Sequence, residues 1–214
     1  MYNMESYSQC GQDLFVYNLL KNQKGNFLDL GCYLPININN TYLLELNGWS
    51  GISIDINDYS DEWKVRKNQF IKNDCFEIDF QKLLPKYYES KTIDYLSLDM
   101  ENVGDRHKLM KKLVDSGYNF KIITIEHDSY LGQNYETNEK LPQRKLLTEF
   151  GYTLICSDVS QKDYPSSFYE DWWVNKNFFS EIELSSWKSD KLSCDKIFEK
   201  NNIVYEINKQ SKKW

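Results

Sequence analysis

The sequence predicts an α/β fold: a mostly parallel, seven-stranded sheet with helices on both faces and an antiparallel edge strand. Three observations predict it. Helix-like and strand-like segments alternate through the first 170 or so residues, the pattern of strand–helix–strand units around a parallel sheet. The strand-like runs, such as Tyr95, Leu96, Leu98 and Ile122, Ile123, Ile125, are apolar with little alternation, as expected for strands covered on both sides. Five successive strands also end in carboxylates, which places acids along one edge of the sheet.

The elements follow in order. GQDLFVYNLLKN has a helix-like apolar face at Leu14, Phe15, Tyr17, Leu19 and Leu20. NFLDLG is a short buried strand. NNTYLLELNGW is a helix capped by Asn39, Asn40 or Thr41 and stopped at Gly48. GISIDI is the second strand, SDEWKVRKN a helix opening on Ser60 and two acids, and QFIKND the third strand. DFQKLLPKYY is helical until Pro85 breaks it. IDYLSLDM, the helix GDRHKLMKKLVDSGY and the strand FKIITIEHD come next. NEKLPQRKLLTEFGY is a helix stopped by Gly151. TLICSDV and FYEDWWVN are the last two strands, and the polar loop between them makes the final one antiparallel.

The chain has 214 residues, enough for one sizeable domain. Residues 1–175 are read as the main domain, with 1–24 as its N-terminal helical cap. Residues 176–214, weak in periodicity, are read as an extension packed on it. The five cysteines, at 10, 32, 75, 156 and 194, are odd in number and widely spaced, with no CxxC pair. That argues against a disulfide framework or a zinc ribbon. The net charge of -6 argues against a nucleic-acid partner. There is no apolar run of membrane-spanning length and no signal-like N-terminus. The expected location is cytoplasmic, or the host cytoplasm for a viral protein. The Asn-, Lys-, Ile- and Tyr-rich composition suits an AT-rich genome of a virus or low-GC bacterium.

In an open parallel sheet, ligands bind beyond the carboxyl ends of the strands. Those ends carry Asp29, Gly31 and Tyr33; Asp55 and Asn57; Asn73, Asp74 and Cys75; Asp99 and Glu101; and Glu126, His127 and Asp128. FLDLG, NNTYLLE and the acid of ISIDI together resemble the S-adenosylmethionine site of class I methyltransferases. The fuller match is to the FkbM-type enzymes, whose pattern resembles SQCGQDLFV, FLDLGC, NTYLLELNGWSGI, YLSLDMEN, ITIEHD and YEDWWV here. These pieces run in order from Ser8 to Val174, about four fifths of the chain. The resemblance implies a Rossmann-like class I methyltransferase fold with S-adenosylmethionine as cofactor. One departure stands out. The family loop reads Asp-x-Gly-x-x-x-Gly, but its last position is Pro35, which fixes φ and lacks a donor. The loop is expected to work by a different route out of Gly31.

On this resemblance Asp29 and Gly31 lie beneath the amino-acid part of the cofactor, with Gln9 and Gln12 closing over it and Asn40 beside it. Asp55 suits the ribose diol, because a carboxylate accepts from two hydroxyls. Asp74 and Cys75 suit the adenine. Asp99, Glu101 and His127 are the catalytic candidates, with Asp99 also able to hold the cofactor amino group. His127 suits a base because imidazole titrates near neutrality, whereas His107 reads as a helix surface residue. The alternative to a bare base is Mg²⁺ or Mn²⁺ held by Asp99, Glu126, His127 and Asp128. Tyr33, Glu170, Asp171 and Trp172 are the acceptor candidates, since an aromatic face beside acids holds a sugar.

The function expected is methyl transfer from S-adenosylmethionine to a hydroxyl of a sugar or glycan. Methylation of a non-sugar small molecule, or a binding module with the same fold and no catalysis, are the rivals. The reading also allows fusion to, or association with, glycosyltransferases. A nicotinamide enzyme would want Gly-x-Gly-x-x-Gly after the first strand, and GCYLPI supplies only the first glycine.

Overall fold

A computed structural model describes residues 4–21, 23–100 and 106–208. In chain order, β1 is Met4–Ser6, α1 Gln12–Leu19, β2 Asn26–Leu30, α2 Tyr42–Leu46, β3 Ser50–Asp55 and β4 Gln69–Lys72. Then come α3 Phe80–Leu83, β5 Thr92–Leu98, α4 Arg106–Asp115 and β6 Asn119–Glu126. After them lie α5 Gln133–Tyr135, α6 Leu141–Glu149, β7 Tyr152–Val159 and β8 Glu170–Asn175. The chain ends in α7 Glu181–Ser185, β9 Ser189–Asp190, α8 Cys194–Lys200 and β10 Tyr205–Ile207.

The main sheet runs β4-β3-β2-β5-β6-β8-β7-β9. Its first five strands are parallel, and β8 is antiparallel to both β6 and β7. This is the expected Rossmann-like α/β sheet. It differs from the sequence reading in two details. The main sheet has eight strands among the described residues, because Ser189–Asp190 adds a short parallel strand outside β7. The antiparallel strand lies inside the sheet, since β8 inserts between β6 and β7. That position explains the run Trp172, Trp173, Val174, which is buried on both faces.

Alternation along the strands builds two cores. Leu28, Leu30, Ile52, Ile54, Leu96, Leu98, Ile123 and Ile125 face Leu109, Met110 and Leu113 of α4. On the other face, Phe27, Tyr95, Ile122, Trp172 and Val174 pack with Leu14, Phe15 and Val16 of α1 and with Ile197 and Phe198 of α8. The Phe15 ring stacks on Trp172 at 4.6 Å between centroids. Residues 176–207 therefore contribute a helix to the core and an edge strand to the sheet, and β10 pairs with β1.

The α1 face also holds a buried polar row. Asp29 is in register with Ser53 on one side and Ser97 on the other, and Ser97 with Thr124. Asp29 Oδ2 accepts from Thr41 Oγ1 at 3.0 Å, Asn40 Nδ2 donates to Ser97 Oγ at 2.9 Å, and Tyr95 and Thr124 share a hydroxyl hydrogen bond of 2.7 Å. This row ties the loop before α2 to the sheet.

Candidate functional site

A cleft of about 500 Å³ opens at the carboxyl ends of β2 to β6. It sits where β2 lies between β3 and β5, the point where strand order reverses and such sheets bind ligands.

The floor is the turn after β2. Gly31 has φ +79°, and a Cβ there would lie 1.7 Å from the carbonyl oxygen of Asp99. Glycine is thus required by the neighbouring strand end as well as by the left-handed backbone. Tyr33 follows with φ +48°. Its N–H donates to Asp55 Oδ2 at 2.9 Å, and its carbonyl accepts from Trp63 Nε1 at 2.8 Å. Past Pro35 the loop is pinned by Arg66, whose side chain is wholly buried. Arg66 Nη1 donates to the Pro35 carbonyl at 2.6 Å and to Asn39 Oδ1 at 3.0 Å, while Nε donates to Glu45 Oε2 at 2.8 Å. The guanidinium also lies over the Trp63 ring, 4.8 Å from its centroid, a cation–π contact. Main chain that a glycine would have turned is instead held by an arginine fork.

Asp55, at the end of β3, accepts from Tyr33 N–H and from Asn57 N–H at 2.8 Å, one bond to each oxygen. Each carboxylate oxygen keeps a second lone pair for a ligand hydroxyl. Beyond β4, Asp74 accepts from Phe76 N–H at 2.8 Å, and Asp74, Cys75 and Phe76 all line the cleft. Burial and the Asp74 charge push the Cys75 thiol up to about 12, so it packs as a neutral group.

At the far side are the ends of β5 and β6. Asp99, Glu126 and Asp128 line the cleft. Arg106, fully buried, donates from Nη2 to Glu126 Oε2 at 2.7 Å and to Asp128 Oδ2 at 2.9 Å. It also donates to the Met100 carbonyl. Burial, then the Asp99 charge, hold the Glu126 carboxyl well above the usual range in spite of Arg106. Tyr130 and Leu131, on the turn after β6, and Tyr135 of α5 form that wall.

The structure brings Gln9, Gly31, Tyr33, Asp55, Asp74, Cys75, Asp99, Glu126 and Asp128 together on the cleft. It places the other expected residues elsewhere, in several cases because buried polar groups must pair. Gln12 is fully buried, donating to Glu170 Oε2 at 2.8 Å and accepting from Cys10 N–H at 2.8 Å, so it does not close over a ligand. Asp29 and Asn40 belong to the polar row and support the loop from below. Glu170 is the buried partner of Gln12, and Trp172 is in the core. Asp171 is buried and held by Arg144 at 2.7 and 2.8 Å. None of these three offers a surface to an acceptor. Glu101 lies outside the described residues.

His127 is also a correction. It is completely buried, its Nδ1 accepts from Ser129 N–H at 3.1 Å, and its Nε2 lies 3.6 Å from both Asp158 and Asp171. With its Nδ1 lone pair engaged and its ring buried outside the cleft lining, it is not the base. The expected cation set is likewise not assembled. His127 is not among the cleft-lining residues that include Asp99, Glu126 and Asp128, and the Arg106 guanidinium bridges Glu126 and Asp128 where a divalent ion would sit. Among the described residues, the cluster with ligand-like spacing is His127, Asp158 and Asp171. Lys140 reaches Asp158 at 2.7 Å, and Arg144 reaches Asp158 at 3.1 Å as well as Asp171. Two cations already balance those two carboxylates, so the cluster is an ion-pair network.

No family model matches the chain, and no curated protein matches it. Solved structures do resemble it. One is an O-methyltransferase from Bacillus cereus in complex with SAH, at 10% identity and TM-score 0.49, covering 76% of this chain and 78% of that one. Another is WbdD, crystallised with a kinase inhibitor, at 15% identity and TM-score 0.48 over 77% of this chain. A third is the MycE methyltransferase of the mycinamycin pathway, in complex with Mg and SAH, at 14% identity and TM-score 0.46 over 65% of this chain. The chain spans 40% of the WbdD chain and 38% of the MycE chain. What it has in common with them is the Rossmann-like fold. Among the described residues no helix is long and apolar enough to cross a membrane.

The sequence reading missed Arg66, Arg106 and the aromatic lining formed by Tyr59, Phe76, Tyr130 and Tyr135. The Tyr33 and Tyr59 rings meet edge to face at 5.3 Å. The available signal was position: each of these aromatics lies in the connection just after a strand whose end was already suspected.

Proposed function

We propose that the chain is an S-adenosylmethionine-dependent O-methyltransferase, with a sugar or glycan hydroxyl as acceptor. The observation that carries the reading is Asp55. It ends β3 beside the Gly31 turn at the switch point, with one lone pair on each oxygen left for the ribose diol. The other cleft residues fit the same ligand. Gln9, Gly31 and Asp99 would hold the methionine part, and Asp74, Cys75 and Phe76 the adenine. The cofactor, when bound, supplies an electrophilic methyl group on a sulfonium. The protein's part is to hold the acceptor oxygen in line with that methyl and to take up the proton. No step is assigned to a divalent ion, because Arg106 fills the space between Glu126 and Asp128. The FkbM-type resemblance of the motifs and the aromatic lining support the sugar as acceptor.

Calorimetric titration with S-adenosylhomocysteine tests the cofactor assignment. Saturable binding is expected from the wild type and binding at least tenfold weaker, or about 1.4 kcal/mol, from Asp55→Ala, and added Mn²⁺ should leave the wild-type affinity unchanged. Wild-type protein that shows no heat of binding refutes the assignment.

A further inference from the structure

With His127 buried, the proposed reaction lacks a proton acceptor, and the cleft itself supplies one. We propose that Glu126, paired with Asp99, accepts the proton of a hydroxyl on an uncharged or cationic polyol seated against Tyr130 and Tyr135. This rests on the cofactor reading above and extends it to the acceptor.

Three features converge. First, position. Glu126 is the last residue of β6 and Asp99 follows the last residue of β5, its immediate parallel neighbour. Both line the cleft across from Asp55, which is spent on the turn after β2 and on the ribose end. Second, the wall beside Glu126 is aromatic and accessible. Tyr130 is 50% exposed and Leu131 52%, unlike Trp172, which is sealed in the core. The wall is fixed at its root, because Ser129 N–H donates to His127 Nδ1 and Tyr130 N–H to the Phe168 carbonyl at 3.2 Å. His127 thus acts as a positioning residue for the wall. Third, charge. The described lining carries the carboxyls of Asp55, Asp74, Asp99, Glu126 and Asp128 and no lysine, arginine or histidine. Phosphate-bearing or carboxylate-bearing acceptors would meet repulsion with no cation on the surface to receive them. A neutral polyol packs its C–H face on a tyrosine and gives its hydroxyls to the acids.

The groups facing Glu126 set its readiness. Asp99 on β5 and Asp128 on its own segment repel its charge, and Arg106 on α4 attracts it. Tyr130 is raised in turn by burial and by Asp128 and Glu126. The Asp99 charge beside it raises the proton affinity of Glu126, and a carboxyl raised above its ordinary range is a stronger base than a surface glutamate. In the step, the acceptor O–H proton passes to the Glu126 carboxylate. The oxygen forms its bond to the methyl carbon as the carbon–sulfur bond breaks, and that electron pair stays on sulfur as a thioether. The proton on Glu126 leaves to solvent with the product.

The test uses the full chain as wild type, Glu126→Gln, Asp99→Asn and Tyr130→Ala. Difference infrared spectra across a pH titration should show, besides the Asp29 band that every variant keeps, a protonated-carboxyl band that titrates above the ordinary carboxylate range, is absent in Glu126→Gln and moves to lower pH in Asp99→Asn. S-adenosylhomocysteine should bind Glu126→Gln within a few-fold of wild type. In the presence of S-adenosylhomocysteine, saturation-transfer NMR should detect methyl glycosides on the wild type and lose them on Tyr130→Ala. Glucose 6-phosphate should give no signal. The proposal is overturned if Glu126→Gln and wild type give the same set of titrating carboxyl bands, if the phosphorylated sugar binds and the neutral glycosides do not, or if no glycoside binds at all. Failure of the wild type to bind S-adenosylhomocysteine would instead remove the cofactor reading, and this proposal with it.

Discussion

Arg66 donates from Nη1 to the main-chain carbonyl of Pro35 at 2.6 Å. The bond joins a buried guanidinium to the residue that stands where the resembling loops have a glycine. The loop leaves Gly31, passes over Asp55, and is drawn back to the body of the protein by this arginine.

Arg66→Ala should therefore cost more than a surface substitution. It removes the ionic partner of Glu45, whose side chain is 8% exposed, and takes the Nη1 donor from the carbonyl of Pro35. Breaking a buried pair costs about 3–5 kcal/mol. Urea denaturation should show that loss, with Arg66→Lys recovering only part of it because a lysine cannot fork between Glu45 and Pro35.

Asp55→Ala should weaken S-adenosylhomocysteine at least tenfold, or about 1.4 kcal/mol, by calorimetry. It also strips acceptors from Tyr33 and Asn57 N–H, so the melting temperature should fall. Asp55→Asn keeps one acceptor oxygen and should fall between wild type and alanine in both measurements.

Asp29 predicts a pH dependence. Burial pushes its carboxyl up to about 6, with Thr41 and Arg66 opposing. The unfolded value is about 3.9, so the folded state holds the proton more tightly. Stability from this group is present below about pH 4 and is lost as pH rises through about 6. A shift of about two units corresponds to about 3 kcal/mol. Asp29→Asn, neutral at every pH and still an acceptor for Thr41, should lack this fall. Melting curves of the two proteins should converge below pH 4 and separate above pH 6, with the asparagine variant more stable there.

Asp171 has the opposite sign. Burial pushes its carboxyl up, but Arg144 and the nearby His127 outweigh it and hold it below the ordinary range. Its contribution is present above the unfolded value of about 3.9 and is lost as pH falls below it. Arg144→Met leaves Asp171 and Asp158 underpaired and should cost about 3–5 kcal/mol at pH 7. Chemical denaturation at pH 7 and at pH 3 should show the gap from wild type narrowing in acid.

His127→Gln separates a base from a support. Loss of a general base costs about 10²–10⁴ in rate. The buried ring predicts a lower melting temperature and a turnover change of less than about tenfold, with the shape of the pH–rate profile retained.

The α/β class, the parallel order of strands and the row of acids at their carboxyl ends were legible from local pattern. Strand runs, helix periods and the acids of FLDLG, ISIDI and ITIEHD are properties of short segments, and the fold only lines them up. Which acids face the cleft was not legible. Glu126, His127 and Asp128 are consecutive, yet Glu126 and Asp128 line the cleft while His127 faces Asp158 and Asp171 from other strands. Alternation divides neighbours between two environments, and nothing local says which is the open one. YEDWWV looked like an edge strand because no helix separates it from the strand before it. Its insertion between β6 and β7 buried Trp172 and turned Glu170 and Asp171 into structural partners. Arg66 and Arg106 are ordinary surface residues by sequence and become buried clamps because their counter-charges and carbonyls arrive from distant segments. The sequence by itself determined the fold class and the edge on which chemistry can sit. Only the tertiary structure decided which side chains share that space, because pairing of buried charges depends on neighbours brought from far along the chain.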